Sequence, residues 1–357
     1  MNKLKYIILG IVVLGIIAVI GVIGWYNISL GAVSNQAEEV EITVPLGTLG
    51  VNVPKILKDN GLIKNELAFK LYMKLNNITD FKAGTYKLNK NMDVKELVNY
   101  LQNGVLYAES IKITFLEGKT FRWYASKIAE NTDFTEEDVF NKVADEEYID
   151  KLISKYWFLT DIIKNKDIYY TLEGYLWPDT YLFEKEGLTI EKIFEKLLDQ
   201  TEEKLEKYKT QIQNSKYNIH EYITLASIIE VEGTNSSSRR DIASVFYNRL
   251  NSNMSLGSDV TTYYAAKVEV GERDLYAKEL NSSNPYNTRG PNMNGKLPVG
   301  PISSISESSI DAAINPNETN YLFFVADKDG NVYFTRTNAE HEAKIKELKN
   351  SGMWFEF

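Results

Sequence analysis

Twenty residues of nearly unbroken apolar sequence, from Tyr6 to Trp25, restrict what the N-terminus of this chain can become. About 20 apolar residues are enough to cross the hydrocarbon core of a bilayer. Lys3 and Lys5 precede the run and the pair Trp25-Tyr26 closes it. Lysines mark the cytoplasmic flank of such a segment, and aromatic pairs settle at a membrane–water interface. A cleaved signal peptide is the competing reading, but its apolar region spans only about 7–15 residues and ends at small residues. Gly31-Ala32-Val33-Ser34 offers a weak match to such a site. The pattern therefore predicts a single-pass anchor within residues 1–35, with the N-terminus cytoplasmic and the rest of the chain extracytoplasmic.

Composition removes several kinds of chemistry. The chain has 357 residues and no Cys, so disulfides, thiolate metal sites and thiol nucleophiles are excluded. Only His220 and His341 are present, which leaves no multi-histidine metal centre and makes a Ser-His-Asp triad depend on one of these two. A net charge of -9 argues against nucleic acid as a partner. Carboxylate-based chemistry becomes the default if the chain is an enzyme.

The pattern of apolar residues and breakers predicts an α+β chain. A compact unit over residues 41–104 reads as strand (Ile42 to Val44), helix (Val53 to Asn60), helix (Leu67 to Leu75), strand (Gly84 to Leu88) and a further helix from Val94. The first four elements are similar to the small LysM-like modules that bind N-acetylglucosamine-containing glycans. A plain spacer gives the same pattern. Residues 105–168 read as a second small α/β subdomain or connector, with a strand from Ile111 to Phe115, a helix capped by Thr120 and a charged helical stretch from Glu136 to Lys155. Few positions suggest that this is a degraded second copy of the first unit. Residues 169–357 read as a third domain of mixed helices and strands. It opens on the aromatic stretch Thr171 to Tyr181, which reads as core. The long Pro/Gly-rich loop Tyr286 to Pro301 and a hairpin turning at Asp329-Gly330 follow.

Within that last domain, Ala226-Ser227-Ile228-Ile229-Glu230-Val231-Glu232-Gly233 carries the chemistry. As a helix, Tyr222, Leu225, Ala226 and Ile229 share a face whose next position is Glu232, and Gly233 stops the helix. An apolar surround and the negative end of the helix dipole both disfavour a charged carboxylate there. A protonated glutamic acid near neutral pH is what acid-catalysed glycosidic cleavage requires. An ordinary solvated glutamate also fits that position. Glu230 lies about 200° around the helix and is the rival; spacing favours Glu232 without excluding it.

Six motifs in order resemble the YceG-like endolytic murein transglycosylases. They are Leu172 to Tyr181, Ala226 to Glu232, Val245-Phe246-Tyr247-Asn248-Arg249-Leu250, Leu256 to Thr261, Pro285-Tyr286-Asn287-Thr288 and Leu297 to Ile302. The resemblance implies a membrane-anchored lyase that cuts nascent peptidoglycan strands internally, between N-acetylmuramic acid and N-acetylglucosamine, leaving 1,6-anhydro ends. It implies Glu232 as the general acid and base, peptidoglycan synthases of the elongation machinery as partners, and no cofactor. Ser258, Asp259, Tyr286 and Asn287 sit in the shared motifs and are expected to bind sugar hydroxyls or N-acetyl groups. Asp259 as a helix cap and Asn287 as a turn residue are equally open. Glu173 is expected to be buried and to position the cleft, and Glu230 to support Glu232 at the edge of the substrate site. Val231, Val260 and Val299 depart from the usual Lys, Pro and Pro, and the stretch Arg289 to Lys296 is an atypical insertion. Ser303 to Ser306 stands where the family has Asn-Pro-Gly. Two other functions remain: a hydrolytic muramidase using Asp259 beside Glu232, and a non-catalytic peptidoglycan-binding scaffold.

Overall fold

The structure, a computed structural model, describes residues 2–45, 47–103, 110–233 and 235–354. Its packing divides the chain into two units, residues 1–110 with 184–186, and residues 111–183 with 187–357.

In the first unit, α1 (Asn2–Leu30) is the one helix among the described residues long and apolar enough to cross a membrane. Strands β1 (Glu39–Val44) and β2 (Gly84–Asn89) pair antiparallel, from Glu39 opposite Asn89 to Val44 opposite Gly84. Between them run α2 (Val53–Asp59) and α3 (Glu66–Leu75), and α4 (Val94–Asn103) follows. The strand–helix–helix–strand order expected from the breakers is therefore present. Asn65 sets the start of α3, its side chain accepting from the Ala68 N–H at 3.1 Å. Val44, Leu57, Phe69, Tyr86 and Leu97 fill the core between strands and helices.

The second unit is built mainly of helices: α5 (Phe121–Asn131), α6 (Glu136–Val143), α7 (Glu146–Lys155), α8 (Ile190–Glu206), α9 (Lys209–Gln213), α10 (Ile219–Glu232), α11 (Arg239–Asn251), α12 (Asp259–Ala266), α13 (Ala277–Leu280), α14 (Glu307–Ile314) and α15 (Asn338–Asn350). Strand β3 (Ser110–Thr114) pairs with β4 (Thr180–Glu184), which comes from the end of the aromatic stretch. A duplicated module would have closed β3 locally; its partner instead lies some 70 residues away. One continuous core runs from Ile113 through Tyr175 and Leu197 to Ile310, so residues 111–168 pack as part of the same unit as the rest. The hairpin of β5 (Phe323–Ala326) and β6 (Val332–Thr335) pairs Phe323 with Thr335 and Ala326 with Val332.

At the centre lies α10. Asn218 caps it, with Glu221 answering in a capping box, and no Gly or Pro interrupts it before Glu232. Every side chain from Tyr222 to Glu230 is buried, so this helix has no solvent face. A helix enclosed on all sides is a rigid support for whatever its last turn carries.

Candidate active site

The two glutamates of the last turn face different surroundings, as their angular separation requires. Glu230 is buried and fully engaged. Its Oε1 accepts from Nη2 of Arg239 at 2.6 Å, and its Oε2 accepts from the N–H and hydroxyl of Ser306 at 3.0 and 2.5 Å. Arg239 also donates to the hydroxyls of Ser306 and Ser308. This pair explains the glycine that follows Glu232. A Cβ at Gly233 would lie 2.8 Å from the Ile229 carbonyl oxygen and 2.9 Å from Cγ of Arg239, so only glycine lets α11 return this close. Its φ of -84° is ordinary; space, not conformation, selects it.

Glu232 points elsewhere. It is half-buried and lines a cavity of about 790 Å³ whose walls all come from the second unit. Oε1 of Glu232 accepts from the Ser258 hydroxyl at 2.6 Å. Ser258 occupies the N-cap position of α12, yet its side chain makes no capping bond. A serine there normally satisfies the first free N–H groups of its helix. Here that bond is given up for the carboxyl group. Ser258 is held in place from behind, its N–H donating to Oγ1 of Thr288 at 3.0 Å and its carbonyl accepting from Thr261 at 2.7 Å. Asp259, the first residue of α12, is not its cap; its carboxylate is paired with Nε of Arg289 at the cavity rim.

Burial pushes the Glu232 carboxyl above the usual carboxylate range. The Ser258 hydroxyl pulls it down, Asp259 pushes it further up, and Arg289 and Arg249 oppose it. Burial, then the charge of Arg289, draws Arg249 below the usual arginine value. Arg249 is fixed by bonds to the carbonyls of Leu322 and Leu256 at 2.6 and 2.7 Å. Phe323, Phe324, His341 and Trp354, from the hairpin, α15 and the segment after it, add an aromatic lining to the cavity.

Glu230, Ser258, Asp259, Tyr286 and Asn287 were all expected to reach substrate, and the structure separates them into two groups. Ser258 and Asp259 line the cavity with Glu232. Glu230, Tyr286 and Asn287 are buried and have no surface to offer a sugar. Tyr286 packs between Tyr169 and Tyr264, ring centres 4.8 Å from each, and its hydroxyl accepts from the Tyr169 N–H. Asn287 bonds the carbonyls of Glu279, Leu280 and Ser282 and accepts from Thr262 at 2.7 Å, tying α13 to α12. Glu173 is buried as well. Its two oxygens accept from the Phe121 N–H at 2.9 and 3.0 Å, and Oε2 also accepts from the Tyr264 hydroxyl at 2.8 Å. It thus anchors the first turn of α5 to α12, and burial pushes its pKa up to about 7.

Arg249, Arg289, His341 and Trp354 also line the cavity and were not singled out from the sequence. For Arg249 the signal was present, since it lies three residues after Phe246 in a shared motif and the two share a helix face. Among the described residues, no group of three or more His, Asp or Glu gathers to hold a metal ion.

The sequence matches the YceG-like family over residues 42–347. It is 39% identical over 309 residues to an endolytic murein transglycosylase of Bacillus subtilis, covering 86% of this chain and 84% of that one. An endolytic murein transglycosylase of Streptococcus pneumoniae is 34% identical over 334 residues, and there the match spans 89% of this chain but 60% of the relative. A crystal structure of a yceG-like protein from Listeria monocytogenes superposes with a TM-score of 0.62 at 35% identity, over 87% of this chain and 100% of that one. Family, sequence relatives and fold agree: the chain belongs to the YceG-like family.

Proposed function

We propose that this chain is a membrane-anchored endolytic murein transglycosylase in which Glu232 serves first as acid and then as base. The observation that carries the reading is the contrast at the end of α10. Glu230 is locked into an ion pair, while Glu232 opens into the cavity with its proton favoured by burial. Glu232 gives its proton to the bridging oxygen as the bond from muramic C1 to that oxygen breaks. The muramic C6 hydroxyl attacks C1, and its proton passes to the Glu232 carboxylate. No water is consumed and the carboxyl returns to its starting state. Because the attacking hydroxyl belongs to the same sugar, it is already present at high effective concentration.

Ordinary glycosidases need two carboxyl groups. The neighbouring Asp259 is engaged by Arg289, which supports the internal nucleophile over a hydrolytic pair. Ser258 orients the acid, Arg249 and Arg289 suit the acyl and carboxyl oxygens of the strand, and the aromatic wall suits sugar C–H faces. The loop from Tyr286 to Pro301 supplies Arg289 and Asn294 to the cavity and is our candidate for limiting water there. The first unit is read as a LysM-like module, and α1 as the anchor that keeps both units at the membrane among the wall synthases.

The test is the product. Uncrosslinked glycan digested by the full chain is expected to yield muramic ends lighter by one water than reducing ends, read by mass spectrometry. Reducing ends would establish hydrolysis instead; no cleavage with retained glycan binding would favour a scaffold.

The pH profile follows from the same contacts. The acid form of Glu232 starts the reaction, so the rate falls as pH rises through its pKa. The Ser258 hydroxyl favours the charged form, and its removal raises that pKa further. Ser258→Ala should therefore move the falling limb of the pH–rate profile to higher pH. A limb that stays put or moves down would show that Ser258 does not act on this carboxyl.

A further inference from the structure

Helix α3 presents two apolar faces where a surface helix needs one. Ala68, Phe69 and Met73 are buried in the core of the first unit. On the adjoining arc, Leu67, Leu71 and Leu75 are exposed by 71%, 39% and 64%. Their spacing of four places them in one stripe, and Lys70 and Lys74 stand beside them on the same arc. In an ordinary surface helix that arc is polar, because apolar area facing water is unfavourable. Leucines flanked by lysines are instead the composition of a helix lying in a lipid interface.

The position of α3 fits that surface. It packs against α1, and Nζ of Lys64, just before α3 begins, donates to the carbonyl of Ile28 at 3.4 Å. Ile28 lies three residues beyond Trp25, the aromatic pair that marks the end of the apolar run. At 1.5 Å per residue this puts the contact about 5 Å along α1 from the expected interface. Lys70 bonds Glu66 at 2.6 Å, and Lys64, Lys70 and Lys74 are all exposed.

We infer that α3 lies in the extracytoplasmic interface of the bilayer that α1 crosses, with Leu67, Leu71 and Leu75 at the acyl boundary and the three lysines among lipid phosphates. The inference rests on the anchoring reading of α1. Its consequence is a first unit held against the membrane at two places, by α1 and by the leucine stripe of α3.

The chain has no cysteine, so Leu71→Cys in the full-length protein carries a single environment-sensitive fluorophore. In vesicles of phosphatidylglycerol and phosphatidylethanolamine, a quencher on the lipid chain should remove most of the emission, and an aqueous quencher little. Adding Leu67→Ser and Leu75→Ser should reverse that preference while the protein still floats with the vesicles. Quenching from water alone would overturn the inference. So would protection from both quenchers that persists in detergent, since a second protein copy would then be the cover. Failure to float with vesicles would overturn the anchor itself, and this is read separately from the depth of the probe.

Discussion

Glu232→Gln is expected to lower the rate of glycan cleavage by about 10²–10⁴-fold, the range that a positioned acid or base contributes. The substitution is nearly isosteric, and its amide oxygen still accepts from the Ser258 hydroxyl. What it lacks is a proton to give. Folding should not suffer. A carboxyl whose pKa is raised on folding works against stability once the pH exceeds its unfolded value of about 4.3. At neutral pH the neutral amide should therefore melt at the same temperature or higher. Fragment release from uncrosslinked glycan, with thermal melting alongside, checks both halves. A Glu232→Gln protein that still cuts at the wild-type rate would remove this residue from the reaction.

The second large effect is expected at Arg239, on stability. Arg239 and Glu230 are both almost fully enclosed, with side-chain exposures of 11% and 5%. Arg239→Met leaves Glu230 as an uncompensated buried charge, a loss of about 3–5 kcal/mol in comparable cases. For a unit of this size that corresponds to a fall in Tm on the order of 10 °C. The Ser306 N–H and hydroxyl would still face Glu230, so the strain falls on the turn that carries Glu232. Adding Glu230→Met should recover much of the stability, because replacing both partners with apolar groups removes the stranded charge. Urea denaturation of the wild type, single and double variants measures this directly. If Arg239→Met proved as stable as wild type, the pair would not be what holds the end of α10.

The sequence favoured Glu232 over Glu230 for an incomplete reason. It assumed a helix with one apolar face, whereas α10 is buried on every side and Glu230 is the more enclosed of the two. Burial alone would have chosen Glu230. What separates the two is Arg239, brought back onto Glu230 through the tight turn at Gly233, and a helix-face count has no access to that return. The same holds for Ser258: the sequence offered Asp259 as the cap of α12, but Ser258 takes that position and its hydroxyl is diverted to a side chain 26 residues earlier. Tyr286 and Asn287 carry residue types that suit sugars, and their burial depends on Tyr169, Tyr264 and α13 closing over them. Local signals did better with elements. The cap at Thr120 and the turn at Asp329-Gly330 lie where the chain places them. Helix α14 escaped notice because its capping box closes on Ser309 rather than an acidic residue. The aromatic wall was legible as a hairpin and a helix, but not as part of a cleft, because the acid lies about a hundred residues away in the chain.

The protonation of one carboxyl underlies all of this, and it can be observed. With glutamate side-chain carboxyls labelled with carbon-13, the resonance absent from Glu232→Gln identifies this group, and its shift is followed with pH. A midpoint above the ordinary glutamate value of about 4.3 is expected, moving higher in Ser258→Ala. A carboxyl that titrates at or below that value would already be ionised when a strand arrives, and Glu232 would not be the proton donor.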